Sequence, residues 1–164
     1  MNLDLAKLPS PDAYAYRGIR AIVVLHERAL RDFLEVWRRF DASGVALPET
    51  HDSSYLGNRH LLEHVLEAAE SYLTWVCRQL ELPDPGVREV PMLNEVAEQA
   101  DDYLEHLFDH WRKALVSVPE SKMEDRTYPA NWGTPMTIEA MLEHAVMHPI
   151  RHSFQLEELI ARGA

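Results

Sequence analysis

Three histidines stand four residues apart near the end of the chain, at His144, His148 and His152 in the stretch EHAVMHPIRHSFQ. On a helix, residues i and i+4 are surface neighbours with Cβ atoms about 5–6 Å apart, so two imidazoles at that spacing can reach one metal ion. Three neutral imidazoles would leave a dipositive ion its full charge. Such an ion lowers the pKa of bound water towards about 7 and deprotonates a coordinating thiol. The chemistry in view is therefore activation of water or of a thiol as a nucleophile.

Helix phase decides which imidazoles can act together. At 1.5 Å per residue His144 and His152 lie about 12 Å apart along the axis, too far to share an ion. The apolar stripe of Ile138, Met141, Leu142, Ala145, Leu156 and Leu159 takes in His152 and has His148 on its edge. His144 falls roughly 100° from the centre of that stripe and is expected to be a bystander or a support to the ligands. A third ligand must come from another helix. Around residues 54–82 the buried side is marked by Leu61, Val65, Ala68, Tyr72, Trp75 and Val76, with His64 at its edge and His60 further out. The inward set is His64, His148 and His152, a facial three-histidine site with open coordination positions. The residues leave open a second possibility, a polar cluster inside the protein with no metal.

The remaining histidines divide by their surroundings. His106 and His110 share a polar face with Gln99, Asp102 and Lys113 and read as solvated, and His51 reads as a loop residue. His26 lies between Val23 and Leu30 on an apolar face. A histidine so placed is usually a hydrogen-bonded core residue, with contact to the site or its substrate as the alternative. Gln155, one turn beyond His152, can hold a ligand imidazole or a metal-bound water. Cys77 points away from the His64 side of its helix and is not expected to be a nucleophile.

Four long helical segments must position these groups, over residues 12–42, 54–82, 91–118 and 134–162. The first follows an a/d pattern through Ile19, Val23, Leu30, Phe33, Trp37 and Phe40, with Gly44 as its stop. Pro91 and Thr134-Pro135 mark the expected starts of the third and fourth. No strand alternation competes, so the expectation is an all-α four-helix bundle in a single domain spanning 1–164. The loop 119–133 carries Tyr128, Asn131 and Trp132 and is either a rim over the site or a plain connection. Pro149 lacks an N–H for the Ala145 carbonyl and predicts a bend between the two ligands of the fourth helix.

Bulk composition narrows the partners. The chain has 164 residues, 46% of them hydrophobic, and a formal charge of -11 from 16 basic and 27 acidic residues. That balance opposes binding to a nucleic-acid phosphate backbone or to an anionic membrane surface. A single cysteine excludes an intrachain disulfide and a thiolate metal cage, and fits a reducing, cytoplasmic setting. The N-terminus lacks a signal-peptide pattern, and no run of 18 apolar residues predicts a membrane span. On the fourth helix Val146, Met147, Ile150 and Phe154 form a second apolar face. It needs a covering partner, and a symmetric homodimer is favoured over a neighbouring helix.

At the histidines the chain resembles the DinB-like family of metal-dependent enzymes, which includes the YfiT-like proteins. The resemblance rests on His64 in LLEHVLEAAESYL, on His148 and His152 in HPIRH, and on Gln155 in HSFQ. It spans the chain in helix order and length. It implies a four-helix bundle whose three histidines hold a divalent first-row ion, variously nickel, zinc or iron, and it implies a dimer. It further implies a small-molecule substrate and a thiol-dependent transferase or isomerase reaction, with a low-molecular-weight thiol as co-substrate. Hydrolysis is the other enzymatic reading, and a non-catalytic metal-binding bundle acting through dimerisation is the alternative to both. Ser153 and Phe154 stand where the family motif HRGQ has Arg-Gly, and Arg151 sits earlier. No substrate is carried over from the resemblance.

Overall fold

The computed structural model describes residues 10–163. Four helices carry the chain: α1 (Arg17–Ser43), α2 (Asn58–Gln79), α3 (Val96–Leu115) and α4 (Ile138–Gly163). Among the described residues the only strands are β1 (Tyr128–Pro129) and β2 (Pro135–Met136), a short antiparallel pair between α3 and α4. The protein is an all-α helical bundle.

The helices start later than periodicity alone predicts, because side-chain caps and turns take the first residues. Asp52 accepts from the Ser54 N–H at 2.9 Å and holds a 3-10 turn, Ser53–Tyr55, ahead of α2. Residues after Pro91 form a turn in which the Val96 N–H reaches the Met92 carbonyl at 2.9 Å, and α3 begins there. Thr134-Pro135 is not the start of α4. It joins the hairpin, and Thr137 caps α4 instead by accepting from the Ala140 N–H at 3.1 Å. Gly44 does end α1, in the left-handed conformation at φ 70° that favours glycine. Through Pro149 α4 continues as one helix, with the Ser153 hydroxyl donating to the Pro149 carbonyl at 2.9 Å.

Contacts fix the helix directions. Arg38–Asp101, Arg31–Glu105 and Arg112–Glu27 pair rising numbers on α1 with falling numbers on α3, so these two are antiparallel. Arg39 meets Glu157, and Gly163 lies beside Val45, so α1 and α4 are parallel. Likewise α2 and α3 are parallel, since Arg59 pairs with Glu98 and Trp111 Nε1 donates to the Ala69 carbonyl at 3.1 Å. Parallel neighbours cannot be joined by a tight turn, so residues 80–95 must return along the bundle.

That return is pinned at each step. His110 Nδ1 donates to the Pro85 carbonyl at 2.5 Å, and the Arg88 N–H donates to His106 Nε2 at 3.0 Å. Arg88 pairs with Asp102, and Arg59 donates to the Asn94 carbonyl at 2.9 Å. His106 and His110 are therefore not simply solvated; they hold the crossover against α3. Beneath lies a core of large side chains, among them Trp75, Trp111, Tyr103, Phe33, Phe40 and Phe108. The buried indoles are paired as well as packed: Trp37 donates to the Asn58 carbonyl at 2.9 Å and Trp75 to the Pro129 carbonyl at 3.0 Å. The second of these bonds ties the β1–β2 hairpin to α2.

Candidate metal centre

Antiparallel packing of α2 on α4 brings His64 opposite His148 and His152. One nitrogen from each of the three lies within 4.8 Å of the others. His64 Nε2 and His148 Nε2 are 3.1 Å apart, and the ring centroids of His148 and His152 are 4.7 Å apart. A tetrahedral ion with metal–nitrogen bonds of about 2.0–2.1 Å places its ligand nitrogens about 3.3–3.4 Å apart. The cluster brackets that separation, so the donor set fits one small divalent ion.

Burial sets the charge state of these rings. His148 is pushed down to about 2, first by desolvation and then by the neighbouring His152, His64, Arg151 and His144. His152 falls to about 4, first by burial and then by His64, with Gln155 opposing. His64 is lowered by burial, with Asp52 opposing. All three are thus held as neutral imidazoles at neutral pH, the form that ligates metals. His148 Nδ1 is buried with no hydrogen-bond partner.

One residue of this site was not legible beforehand. Tyr55, on the 3-10 turn before α2, donates its hydroxyl proton to Gln155 Oε1 at 2.8 Å and lies 3.4 Å from His152 Nδ1. With its proton committed to Gln155, the Tyr55 oxygen accepts from His152 Nδ1–H. That leaves His152 Nε2 as the unprotonated nitrogen, and it orients the ring. The only signal in the sequence was the Asp52-Ser53-Ser54 turn ahead of Gly57, which indicates a turn but not what the turn faces. Tyr55→Phe is expected to weaken zinc affinity about tenfold while leaving the stoichiometry unchanged. Competition against a chromophoric chelator measures this, and an unaltered affinity would show that Tyr55 holds only Gln155.

The other sequence candidates separate clearly. Gln155 is at the site through Tyr55. His144 packs edge-on against Tyr72 at 5.4 Å and beside Trp132 at 5.3 Å, one step removed from the three-histidine cluster. Trp132, on the loop between β1 and β2, reaches the same wall, held there by the Asn131 amide donating to Ser71 at 3.1 Å. His26 is placed elsewhere, buried in the core with its ring centroid 4.1 Å from that of Trp111. Cys77 is buried, and its thiol is pushed up to about 11 by desolvation, which suits a core residue and not a nucleophile.

Fold and site together define an all-α bundle with a three-histidine cluster suited to a metal ion. No family model, curated protein or solved structure matches the chain. No helix of the described residues is long and apolar enough to cross a membrane.

Proposed function

We propose that this chain is a metal-dependent enzyme of the DinB-like type, acting on a small molecule by activating a thiol or a water molecule as nucleophile. The observation that carries this reading is the convergence of three neutral imidazoles, from two helices, within 4.8 Å of one another. In it, His64, His148 and His152 hold a first-row ion such as nickel, zinc or iron. When bound, that ion supplies Lewis acidity, stabilising the deprotonated form of a thiol or water at neutral pH. The protein's own contributions are separate from this. Tyr55 and Gln155 fix the His152 ring, burial keeps all three ligands unprotonated, and Tyr72, Trp132 and His144 wall the approach. Thiol transfer and hydrolysis both fit these groups, and a low-molecular-weight thiol is the co-substrate in the first case.

Protein purified without a histidine tag should carry about one equivalent of a first-row metal by elemental analysis. Thiol conjugation and ester or amide hydrolysis, screened in parallel, should show turnover that chelator removes and added metal restores. Metal content near zero after incubation with each of zinc, nickel and iron would overturn the reading.

A second reading has its own observation. Phe154, 61% exposed, and Ile150 form with Val146 one side of an apolar groove of about 740 Å³, with Leu25, Ala29 and Val36 of α1 on the other side. Four of the five charged residues lining it are paired internally, Arg28 with Asp32 and Arg39 with Glu157, which leaves Glu35 as the one acidic group a like surface would have to accommodate. This face suits a second copy of the chain. Phe154→Glu should convert a dimer to a monomer in sedimentation at micromolar concentration. A wild-type protein that is already monomeric there removes the idea.

A further inference from the structure

Beside the three histidines lies a cavity of about 630 Å³. It is walled by the outer face of α2, by residues 87–90 of the crossover and by Asn131 and Trp132 of the hairpin loop. His64 belongs both to the cluster and to this wall. Tyr72, which also lines it, has its ring centroid 5.7 Å from that of His148. A molecule seated in the cavity therefore has one end at the histidines.

The lining is chemically lopsided. Glu67, Glu70 and Glu89 face a single lining cation, Arg88, whose guanidinium is already paired with Asp102. Glu70 accepts from the Thr74 hydroxyl at 2.9 Å. Glu67 and Glu89 have no hydrogen bond or ion pair among the described residues. Glu67 is exposed at the cavity wall, where partial desolvation raises its carboxyl above the ordinary range, with Glu63 and Glu70 adding to the effect.

Trp132 supplies an observation of another kind. Trp37, Trp75 and Trp111 are buried with their indole N–H groups bonded to backbone carbonyls, whereas Trp132 is 49% exposed. Its ring stands 6.3 Å from that of Tyr72, and the hairpin beneath it is fastened to α2 through Trp75 and Asn131. The cavity thus presents fixed aromatic faces beside uncompensated carboxylates. Aromatic faces attract cations through the ring quadrupole, and carboxylates add a direct charge.

We infer that this cavity binds the positive end of an organic cation, a small molecule bearing an ammonium or guanidinium group, and presents its other end to the three-histidine site. The last clause rests on the metal reading above; the cation preference does not. On α4, Arg151 adds positive charge that acts on Tyr72 and His144, at the histidine end of the cavity. The ligand's cation is thereby directed towards Glu67 and away from α4.

Benzyltrimethylammonium is a suitable probe, because its nitrogen has no lone pair and cannot ligate a metal. Benzyl alcohol and benzoate are its neutral and anionic counterparts. Titration of the full chain, metal-free and zinc-loaded, by tryptophan fluorescence and calorimetry should show the cation binding about tenfold tighter than the alcohol, with benzoate weakest. Glu67→Gln should weaken the cation about fivefold, and Trp132→Ala by a similar factor with loss of the fluorescence change. Glu89→Gln, on the exposed crossover, repeats the test where folding is not at stake. Benzoate binding as tightly as the cation, or an unchanged cation affinity in Glu67→Gln and Trp132→Ala, would overturn the inference. Cation binding retained in a protein that takes up no zinc would remove only the metal reading. Zinc uptake without any cation preference would remove only this one.

Discussion

Replacing His148 with alanine is expected to abolish tight metal uptake and, with it, most of the metal's contribution to stability. His148 joins the other two histidines: its Nε2 lies 3.1 Å from that of His64, and its ring centroid lies 4.7 Å from that of His152. Structural zinc sites contribute about 10–16 kcal/mol through four ligands, or roughly 3 kcal/mol each, so affinity should fall on the order of 100-fold or more. For the wild type, zinc at about 1,000 times its Kd adds about 4 kcal/mol. In a chain of this size that raises Tm by roughly 8–16 °C. At the same zinc concentration a site weakened about 100-fold gains only about 1.4 kcal/mol, so the rise in His148→Ala should shrink to about a third of the wild-type value or less. Without metal the substitution is milder, because it removes a buried Nδ1 that has no partner while it opens a cavity. His106→Ala is the contrast. It releases the crossover bond to the Arg88 N–H, so it should lower stability yet keep the full zinc shift. A full shift in His148→Ala would mean that the ion is held elsewhere.

How far the sequence could reach follows from what periodicity encodes. The apolar stripes of α1 and α4 name the buried face of each helix, and that sufficed to place His148 and His152 inward and His144 off to the side. The phase of α2 likewise set His64 at the buried edge, and the structure brings all three within ligand distance. Periodicity carries no information about helix direction or neighbour, so the parallel pairing of α2 with α3 was invisible. So was the use of His106 and His110. Their partners are the Arg88 N–H and the Pro85 carbonyl, backbone groups that any residue would present. Tyr55 was missed for a related reason. It lies in a loop with no period, and its role exists only because α4 returns to put Gln155 and His152 beside it. Where a helix begins was also decided by local competition: Thr137, not Thr134, caps α4 because the hairpin claims Pro135 and Met136.

Acid should destabilise the metal-free protein from about pH 6.5 downwards, and His26 should account for a separable share of the loss. The ring is 1% exposed, packed on Trp111 with centroids 4.1 Å apart, and its Nε2 has no hydrogen-bond partner. Desolvation pushes its pKa from 6.5 down to about 3. The sign follows from proton counts. Between those two values the unfolded chain binds a proton that the folded protein refuses, so stability rises with pH across the window and is lost as pH falls through it. One such group contributes about 1.4 kcal/mol per pH unit, or roughly 2 kcal/mol at pH 5 relative to pH 7. His152, lowered to about 4, acts in the same direction when no metal is bound, which is why the variant and not the total profile is diagnostic. His26→Leu removes both the titration and the unpaired nitrogen while keeping most of the volume. Urea unfolding of metal-free wild type and variant should give similar stabilities near pH 7, with the leucine protein about 2 kcal/mol ahead at pH 5. Parallel profiles across that range would mean that His26 finds a partner for its second nitrogen or takes up a proton without opening the core. The loss would then belong to the other histidines that burial lowers, His64, His144, His148 and His152 among them, and saturating zinc should raise stability while leaving the loss on acidification in place, because it holds the cluster nitrogens unprotonated only in the folded protein.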